Sequence, residues 1–320
     1  MNIIFMGTPQ FAVVCLQKLV ASGQHISAVV TAPDKPVGRG QKLSPSPVKI
    51  EALKSGLPVL QPISLKEPGF LTRVEDLKAD LMIVVAFRIL PEILFSKAKI
   101  GAVNLHGSLL PKYRGAAPIN WAIINGESET GITTFFLKEK VDTGNIIDQE
   151  KIQISPFMTA GELHDLMAIK GADLILKTIK KIESGQVTTF AQRESEVSAA
   201  PKIFPNDCLI NFNQPAKKIH DFIRGLSPKP GAYTYLKNKR LHLFRSNIAD
   251  EQTKNDDVGT IINTGNSTVL SIQCNPGIIE VKELRLEGTH RMSVADFLRG
   301  HRLPPDTHLG SGHKNPAVKT

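Results

Sequence analysis

Cysteine is scarce in this 320-residue chain, and what there is stands badly placed for chemistry. Cys15, Cys208 and Cys274 are odd in number and far apart. That spacing excludes a disulfide framework and any CxxC metal or redox site, and predicts reduced structural thiols. Long hydrophobic runs are missing too: no stretch of about 18 uncharged apolar residues occurs, which excludes a membrane-spanning helix. Met1-Asn2-Ile3-Ile4-Phe5 has neither the basic flank nor the small-residue cleavage site of a signal peptide, so a cytoplasmic protein without membrane attachment is expected. There is no internal repeat and no low-complexity tract. The chain also has no GxSxG elbow, no HExxH, no paired His cluster and no cysteine near His106, so nucleophilic and metal chemistry find little support and no metal is expected. Gly7-Thr8-Pro9-Gln10-Phe11 lacks both the GxGxxG spacing and a Gly-Lys-Ser/Thr ending; a helix N-terminus there can still meet an anion.

What is present is an ordinary globular composition, 41% hydrophobic and 22% charged, long enough for two domains. Lys and Arg outnumber Asp and Glu by 39 to 30. Residues 1–205 carry 23 basic and 19 acidic residues, residues 206–320 carry 16 and 11, so the second part is about twice as positive per residue. A nucleic-acid surface and a plain solubility charge both account for that excess.

The first 150 residues alternate short apolar runs with helical stretches, the pattern of an α/β unit with a mostly parallel sheet. Strands are expected at Ile3–Met6, His25–Thr31, Ala79–Ala86 and Ala102–His106, with a further pair at Gly131–Leu137 and Asn145–Ile154. Helices are expected over Phe11–Ala21, Pro118–Asn125 and Thr159–Ser184. The run Leu81-Met82-Ile83-Val84-Val85 predicts a central strand covered on both faces. Residues 192–207 are polar, carry two prolines and read as a linker. After a helix over Ala216–Leu226, short strands at Ala232–Leu236, Leu241–Ser246, Gly259–Asn263, Val269–Cys274 and Gly277–Leu286 suggest a small barrel. Residues 311–320 read as a frayed tail.

Asn104-Leu105-His106 is the first candidate for chemistry. Residues two apart on a strand share a face, so Asn104 and His106 project together. Polar groups at the carboxyl end of a buried strand are costly unless used, and open α/β sheets bind ligands at that end. The loop Gly107–Pro118 follows, opened by glycine and stiffened by Pro111 and Pro118, and suits a flat ligand needing backbone hydrogen bonds. Asp142-Thr143-Gly144 places a carboxylate in a turn. One such copy in an α/β chain rules against an aspartic protease, and an Asp that orients and charges His106 is the better reading. His164 and His220 are expected in surface or packing roles. The segment 32–47, with Lys35, Arg39 and Lys42 among prolines and glycines, is expected to be neither helix nor strand but a long exposed basic loop that contacts phosphate.

Together these residues carry a resemblance. Gly7-Thr8-Pro9-x-Phe11, Pro33-Asp34-Lys35-Pro36-x-Gly38-Arg39-Gly40, Asn104-Leu105-His106-Gly107-Ser108-Leu109-Leu110-Pro111 with Tyr113-Arg114-Gly115-Ala116-Ala117-Pro118, and Asp142-Thr143-Gly144 resemble the methionyl-tRNA formyltransferase family, within the wider group of enzymes that use 10-formyltetrahydrofolate. Leu226-Ser227-Pro228-Lys229-Pro230-Gly231-Ala232 resembles that family's C-terminal segment. The resemblance implies a Rossmann-like catalytic domain over residues 1–191, a linker, and an OB-like β-barrel over 208–310 that holds tRNA. It implies transfer of a formyl group from 10-formyltetrahydrofolate to the α-amine of initiator methionyl-tRNA. Asn104, His106 and Asp142 would be catalytic, Ser108, Leu109, Leu110 and Pro111 would line the folate site, and Lys35, Arg39 and Lys42 would approach the tRNA. The expected state is a monomer. One departure stands out: Ala86-Phe87-Arg88-Ile89-Leu90-Pro91 replaces the family's Ala-Tyr-Gly-x-Ile-Leu-Pro, one residue shorter and without the glycine, which makes Arg88 a candidate for a ligand carboxylate.

The chemistry such a reaction needs fits these residues. An amine attacking a formamide-like carbon builds negative charge on oxygen, so the site needs donors more than a nucleophile. The Asn104 amide and a protonated His106 are donors, and Asp142 would steady the charge and help move the proton. Two alternatives remain: a formyltransferase acting on a small amine such as a ribonucleotide or amino sugar, and a non-catalytic tRNA-binding protein.

Overall fold

Runs that are apolar throughout become strands with both faces covered, and they build the centre of the first of two compact units. In the computed structural model, which describes residues 1–37, 41–262, 268–301, 303–304 and 307–310, that unit comprises residues 1–118, 129–153 and 164–201. The second comprises residues 119–128, 154–163 and the described residues from 202 onward. Arg39 and the expected tail 311–320 lie outside the described residues.

The chain opens with β1 (Asn2–Gly7), α1 (Gln10–Ala21) and β2 (His25–Val30), as the apolar runs predict. The basic segment differs from expectation. It holds two short strands, β3 (Lys35–Val37) and β4 (Lys42–Ser44), paired antiparallel with Lys35 opposite Ser44 and Val37 opposite Lys42. A two-stranded ribbon is all edge, so Pro36 sits opposite Leu43 without breaking a central ladder. The base of the ribbon is closed by tertiary bonds: the Thr31 and Ser46 hydroxyls meet at 2.7 Å, and Lys49 Nζ and Gln61 Nε2 donate to the Asp34 carboxylate at 2.7 and 2.8 Å. Hydrogen bonds from Gln61 and Lys49 hold that carboxyl below its usual range.

Next come α2 (Pro47–Lys54), capped by Ser46, then β5 (Val59–Leu60), α3 (Pro68–Asp76), β6 (Leu81–Val85), α4 (Glu92–Phe95) and β7 (Gly101–His106). They are followed by β8 (Arg114–Gly115), α5 (Pro118–Ile124), β9 (Glu129–Phe136), β10 (Ile146–Gln153) and α6 (Ala160–Glu183). The main sheet has the order β10-β9-β7-β6-β1-β2-β5. β5, β2, β1, β6 and β7 run parallel, and β9 and β10 add an antiparallel edge. Every residue of β6 is buried, as a strand between β1 and β7 requires. Cys15 lies fully buried in α1, its thiol pushed up to about 12 by that burial, and is inert.

The segment expected as a linker carries a short strand, β11 (Ala199–Ala200), which runs parallel to β8 with Ala199 opposite Arg114. Ser198 and Ala200 carbonyls accept from the Arg114 and Ala117 amides at 2.9 and 3.2 Å. A Cβ on Gly115 would stand 2.5 Å from the Ala200 carbonyl oxygen, so glycine permits this approach.

In the second unit, α7 (Ala216–Leu226) precedes β12 (Ala232–Leu236), β13 (Lys239–Asp250), β14 (Ile261–Ile262), β15 (Leu270–Gln273), β16 (Ile278–Leu286), β17 (Met292–Ser293) and α8 (Val294–Gly300). The antiparallel path β12-β13-β16-β15-β14, with β17 added to β16, curls as a half-barrel. This is the small barrel-like sheet that the strand spacing suggests; among the described residues β12 and β14 are not paired with each other. Register shifts along β13 and β16 bend the long strands, and alternate residues Leu241, Leu243, Leu284 and Leu286 turn inward onto Ile219, Ile223 and Phe297.

Candidate active site

The site forms at the carboxyl end of β7, inside the first unit. Asn104 and His106 share one face of that strand, while Leu105 turns to the other, where a Cβ on Gly171 of α6 would come within 2.5 Å of it. His106 is buried at 5% exposure, and its Nε2 lies 2.8 Å from the Tyr113 carbonyl oxygen. A carbonyl only accepts, so Nε2 carries the hydrogen and Nδ1 is the nitrogen left for chemistry. Nδ1 faces Asp142, 3.8 Å from Oδ2. That gap exceeds a direct hydrogen bond.

Asp142 is itself buried at 8% exposure, and its Oδ2 accepts from the Gly115 amide at 2.9 Å. Its backbone is left-handed, with φ of 55°. Gln192 holds it there: Nε2 donates to the carbonyls of Asp142 and Gly144, both at 2.8 Å. Gly144 is needed because a Cβ at that position would lie 1.5 Å from the Phe136 carbonyl oxygen. Asn104 is half-buried, and its side-chain amide has no hydrogen-bond partner among the described residues. An amide of this kind beside a strand end is available to a ligand.

Asn104, His106 and Asp142 are therefore brought together from β7 and a distant turn. The loop Ser108–Pro111 adjoins them but spends its polar groups internally. Ser108 Oγ donates to the Lys112 carbonyl at 2.6 Å, Thr133 Oγ1 donates to the Ser108 carbonyl at 2.6 Å, and Gln149 Nε2 donates to the Leu110 carbonyl at 2.9 Å. Ser108, Leu110 and Pro111 are buried and Leu109 is half-buried. The loop's shape is thus set by Thr133 and Gln149 across the antiparallel edge. Sequence reading does not single out Thr133, Gln149, Gln192 or the Tyr113 carbonyl. The first two sit on strands whose polar residues follow no regular alternation, and Gln192 lies in the expected linker, so none of them carries a local signal.

Arg88 does not point its guanidinium at a free acceptor. Its Nη1 and Nη2 donate to the Ile63 and Pro62 carbonyls at 2.9 and 3.0 Å, and its burial holds its pKa below the usual arginine range. It ties the segment after β5 to the short loop after β6, where Ala86 adopts φ of 46°. Lys35 is exposed on β3 and Lys42 lies on β4. This ribbon leaves the carboxyl end of β2, the same end of the parallel sheet at which β7 presents His106. Among the described residues no cluster of side chains suited to a metal ion occurs, and no helix is long and apolar enough to cross a membrane.

A mostly parallel sheet ending in an Asn-x-His pair, an apposed Asp and a second antiparallel unit places the chain among the formyl transferases. Residues 1–179 match the formyl transferase family and residues 202–302 match the formyl transferase C-terminal domain. The chain is 44% identical to a methionyl-tRNA formyltransferase of Bacteroides thetaiotaomicron, over 95% of this chain and 96% of that one. It is 41% identical to one of Acetivibrio thermocellus over 97% and 100%. The chain belongs to the methionyl-tRNA formyltransferase family. Among solved structures, the fold resembles the sugar 3N-formyl transferase WlaRD determined in the presence of dTDP and 5-N-formyl-THF, with TM-score 0.65, 22% identity, and 91% of this chain and 99% of that one covered. It also resembles HypX from Aquifex aeolicus in complex with tetrahydrofolic acid, with TM-score 0.62, 16% identity, and 93% and 47% covered.

Proposed function

We propose that this chain transfers the formyl group of 10-formyltetrahydrofolate to the α-amino group of methionine carried on initiator tRNA, in the cytoplasm, for translation initiation. The observation that carries this reading is identity above 40% to methionyl-tRNA formyltransferases across both units. The residues present suit the donor: an unengaged amide, an imidazole nitrogen and a carboxylate converge where a formyl oxygen and an attacking amine need a donor and a proton acceptor.

10-Formyltetrahydrofolate supplies the one-carbon unit as an amide on N10. The Asn104 amide donates to the formyl oxygen and holds the negative charge that develops there. His106 acts through Nδ1 alone, because Nε2 is committed to the Tyr113 carbonyl. Nδ1 without a proton accepts one from the amine; with it, Nδ1 is a second donor beside the oxygen. Asp142, 3.8 Å away, supplies the countercharge and, through one water, relays the amine's proton to N10 as the bond from the formyl carbon to N10 breaks and tetrahydrofolate leaves. Loss of one such donor costs about 10²–10³ in rate. Ser108–Pro111 shape the wall of the folate site, and Lys35, Arg39 and Lys42 contact tRNA phosphate. A monomer suffices for this scheme.

Formylation assayed side by side with initiator, elongator and uncharged tRNA, and with free amino sugars and ribonucleotides, tests the reading. Transfer to initiator methionyl-tRNA alone supports it. Transfer to a small amine in preference to the aminoacyl-tRNA overturns it.

A further inference from the structure

One face of the β12–β13–β16 sheet carries an arrangement that the chemistry above does not use, with Arg240 and Arg285 exposed above the buried rings of Tyr233 and Phe244. The register of β12, β13 and β16 sets Tyr233, His242 and Arg285 in one cross-strand row and Tyr235 opposite Arg240 in the next. Arg240 lies over the Tyr233 ring at 4.5 Å, and Arg285 and Arg291 lie over Phe244 at 5.7 and 4.7 Å. His242 stacks nearly parallel to Phe244, at 6.1 Å and 12°. Burial, then Arg285 and Arg240, keep His242 below its ordinary pKa, so it offers a flat neutral ring at pH 7. Tyr235, Arg240, His242, Arg285, Glu287 and Thr289 border a cavity of about 490 Å³, within the usual range for small-ligand sites.

The charges on this face are unequally balanced. Arg291 is paired with Glu283. Among the described residues, no carboxylate lies within 4.0 Å of the Arg240 or Arg285 guanidinium. Glu287 accepts from the Arg240 backbone amide at 3.1 Å, so that carboxylate is turned to the backbone. Lys237 and Lys239 stand exposed where β12 turns into β13. A guanidinium held over a ring is a planar group on which a second planar group can stack, while its N–H groups still reach an anion. Planar stacking surface and phosphate charge are what an unpaired nucleotide requires; a duplex backbone needs only the charge.

We propose that the β12–β13–β16 face binds an unpaired nucleotide of the tRNA substrate, its base stacked against the arginine–aromatic layer and its phosphate met by Arg240 and Arg285. This rests on the reading of tRNA as substrate and names the part of the second unit that engages it.

The test uses the full-length enzyme and paired substitutions, Arg240→Ala with Arg285→Ala, and Arg240→Lys with Arg285→Lys. Expected is a rise of about tenfold or more in KM for methionyl-tRNA in the alanine pair, with kcat and KM for 10-formyltetrahydrofolate unchanged. The lysine pair keeps the charge but loses the flat face, and is expected to stay within about threefold of the alanine pair. Wild-type KM in the lysine pair means charge without stacking and overturns the proposal, as does an unchanged KM in the alanine pair. A binding measurement separates failure here from failure of the proposed activity. Wild-type protein is expected to bind a short single-stranded RNA oligonucleotide more tightly than a duplex of equal length, and the alanine pair is expected to lose that preference. Equal binding of strand and duplex by wild type overturns the stacking site whether or not formyl transfer occurs.

Discussion

Two buried histidines, one in each unit, have an aspartate nearby, and they differ in how fully their hydrogen-bonding groups are satisfied. In the second unit, His220 Nδ1 meets Ser246 Oγ at 3.0 Å and Nε2 meets the Pro156 carbonyl at 3.0 Å. Its neighbour Asp221 is bound by Arg224 at 2.8 Å and Lys217 at 2.9 Å, and Arg224 Nη1 also donates to the Met158 carbonyl at 3.0 Å. Each of these groups has its partner, so the cluster fastens residues 155–158 to α7 and β13. In the first unit, His106 has one nitrogen committed, a gap of 3.8 Å to Asp142, and an unengaged Asn104 amide beside it. A satisfied polar cluster rigidifies a fold; one with spare hydrogen-bonding capacity awaits a ligand. Burial and residue type alone do not separate the two.

Substitutions in the two clusters are expected to act on different properties. The largest effect is expected from Asn104→Ala and Asp142→Asn, each lowering kcat/KM for formyl transfer by about 10²–10³ while leaving the unfolding midpoint near that of the parent. Turnover near the parent level in both would remove the catalytic assignment. Arg224→Ala should do the reverse: breaking a buried pair costs about 3 kcal/mol of stability in urea, with activity per folded molecule retained. If activity fell while stability held, the second cluster would be functional after all.

The two histidines also differ in how pH acts on them. Burial, the largest cause, holds His220 below its ordinary 6.5. The unfolded chain then binds a proton more readily than the folded one, so His220 costs nothing above about pH 6.5 and stability is lost as pH falls toward its folded-state value. His220→Gln should flatten the urea midpoint between about pH 7 and pH 5 relative to the parent; an unchanged slope would show that other groups carry it. The smallest effect is expected at the basic segment 32–47. Lys35→Ala, Arg39→Ala and Lys42→Ala should each raise KM for methionyl-tRNA only a few-fold and lower the salt slope by about one for each phosphate no longer neutralised, with KM for the folate untouched. Equal weakening toward both substrates would make the segment structural.

Much of this architecture is legible in the residues alone. The helix over Ala216–Leu226 and the strand over Ala232–Leu236 fall where the pattern puts them, because amphipathic spacing and alternation are local properties. The same alternation places Asn104 and His106 on one face. The basic segment escapes such reading because its prolines and glycines argue against regular structure, whereas the ribbon depends on Asp34, Lys49 and Gln61 closing its base from outside. The expected linker hides Gln192, since nothing local marks a glutamine that will fasten two carbonyls in the Asp142 turn. The spacing of short strands marks the barrel-like second unit as well, whereas how far its sheet curls depends on curvature accumulated along β13 and β16.

By itself the order of residues determined which elements form and which side chains share a face, because backbone geometry repeats every two or 3.6 residues wherever the chain is regular. Which nitrogen of His106 is available depends on the folded chain. That choice is made by the Tyr113 carbonyl on one side and Asp142 on the other, held in place by Gln192, and no periodicity relates positions so far apart in the chain.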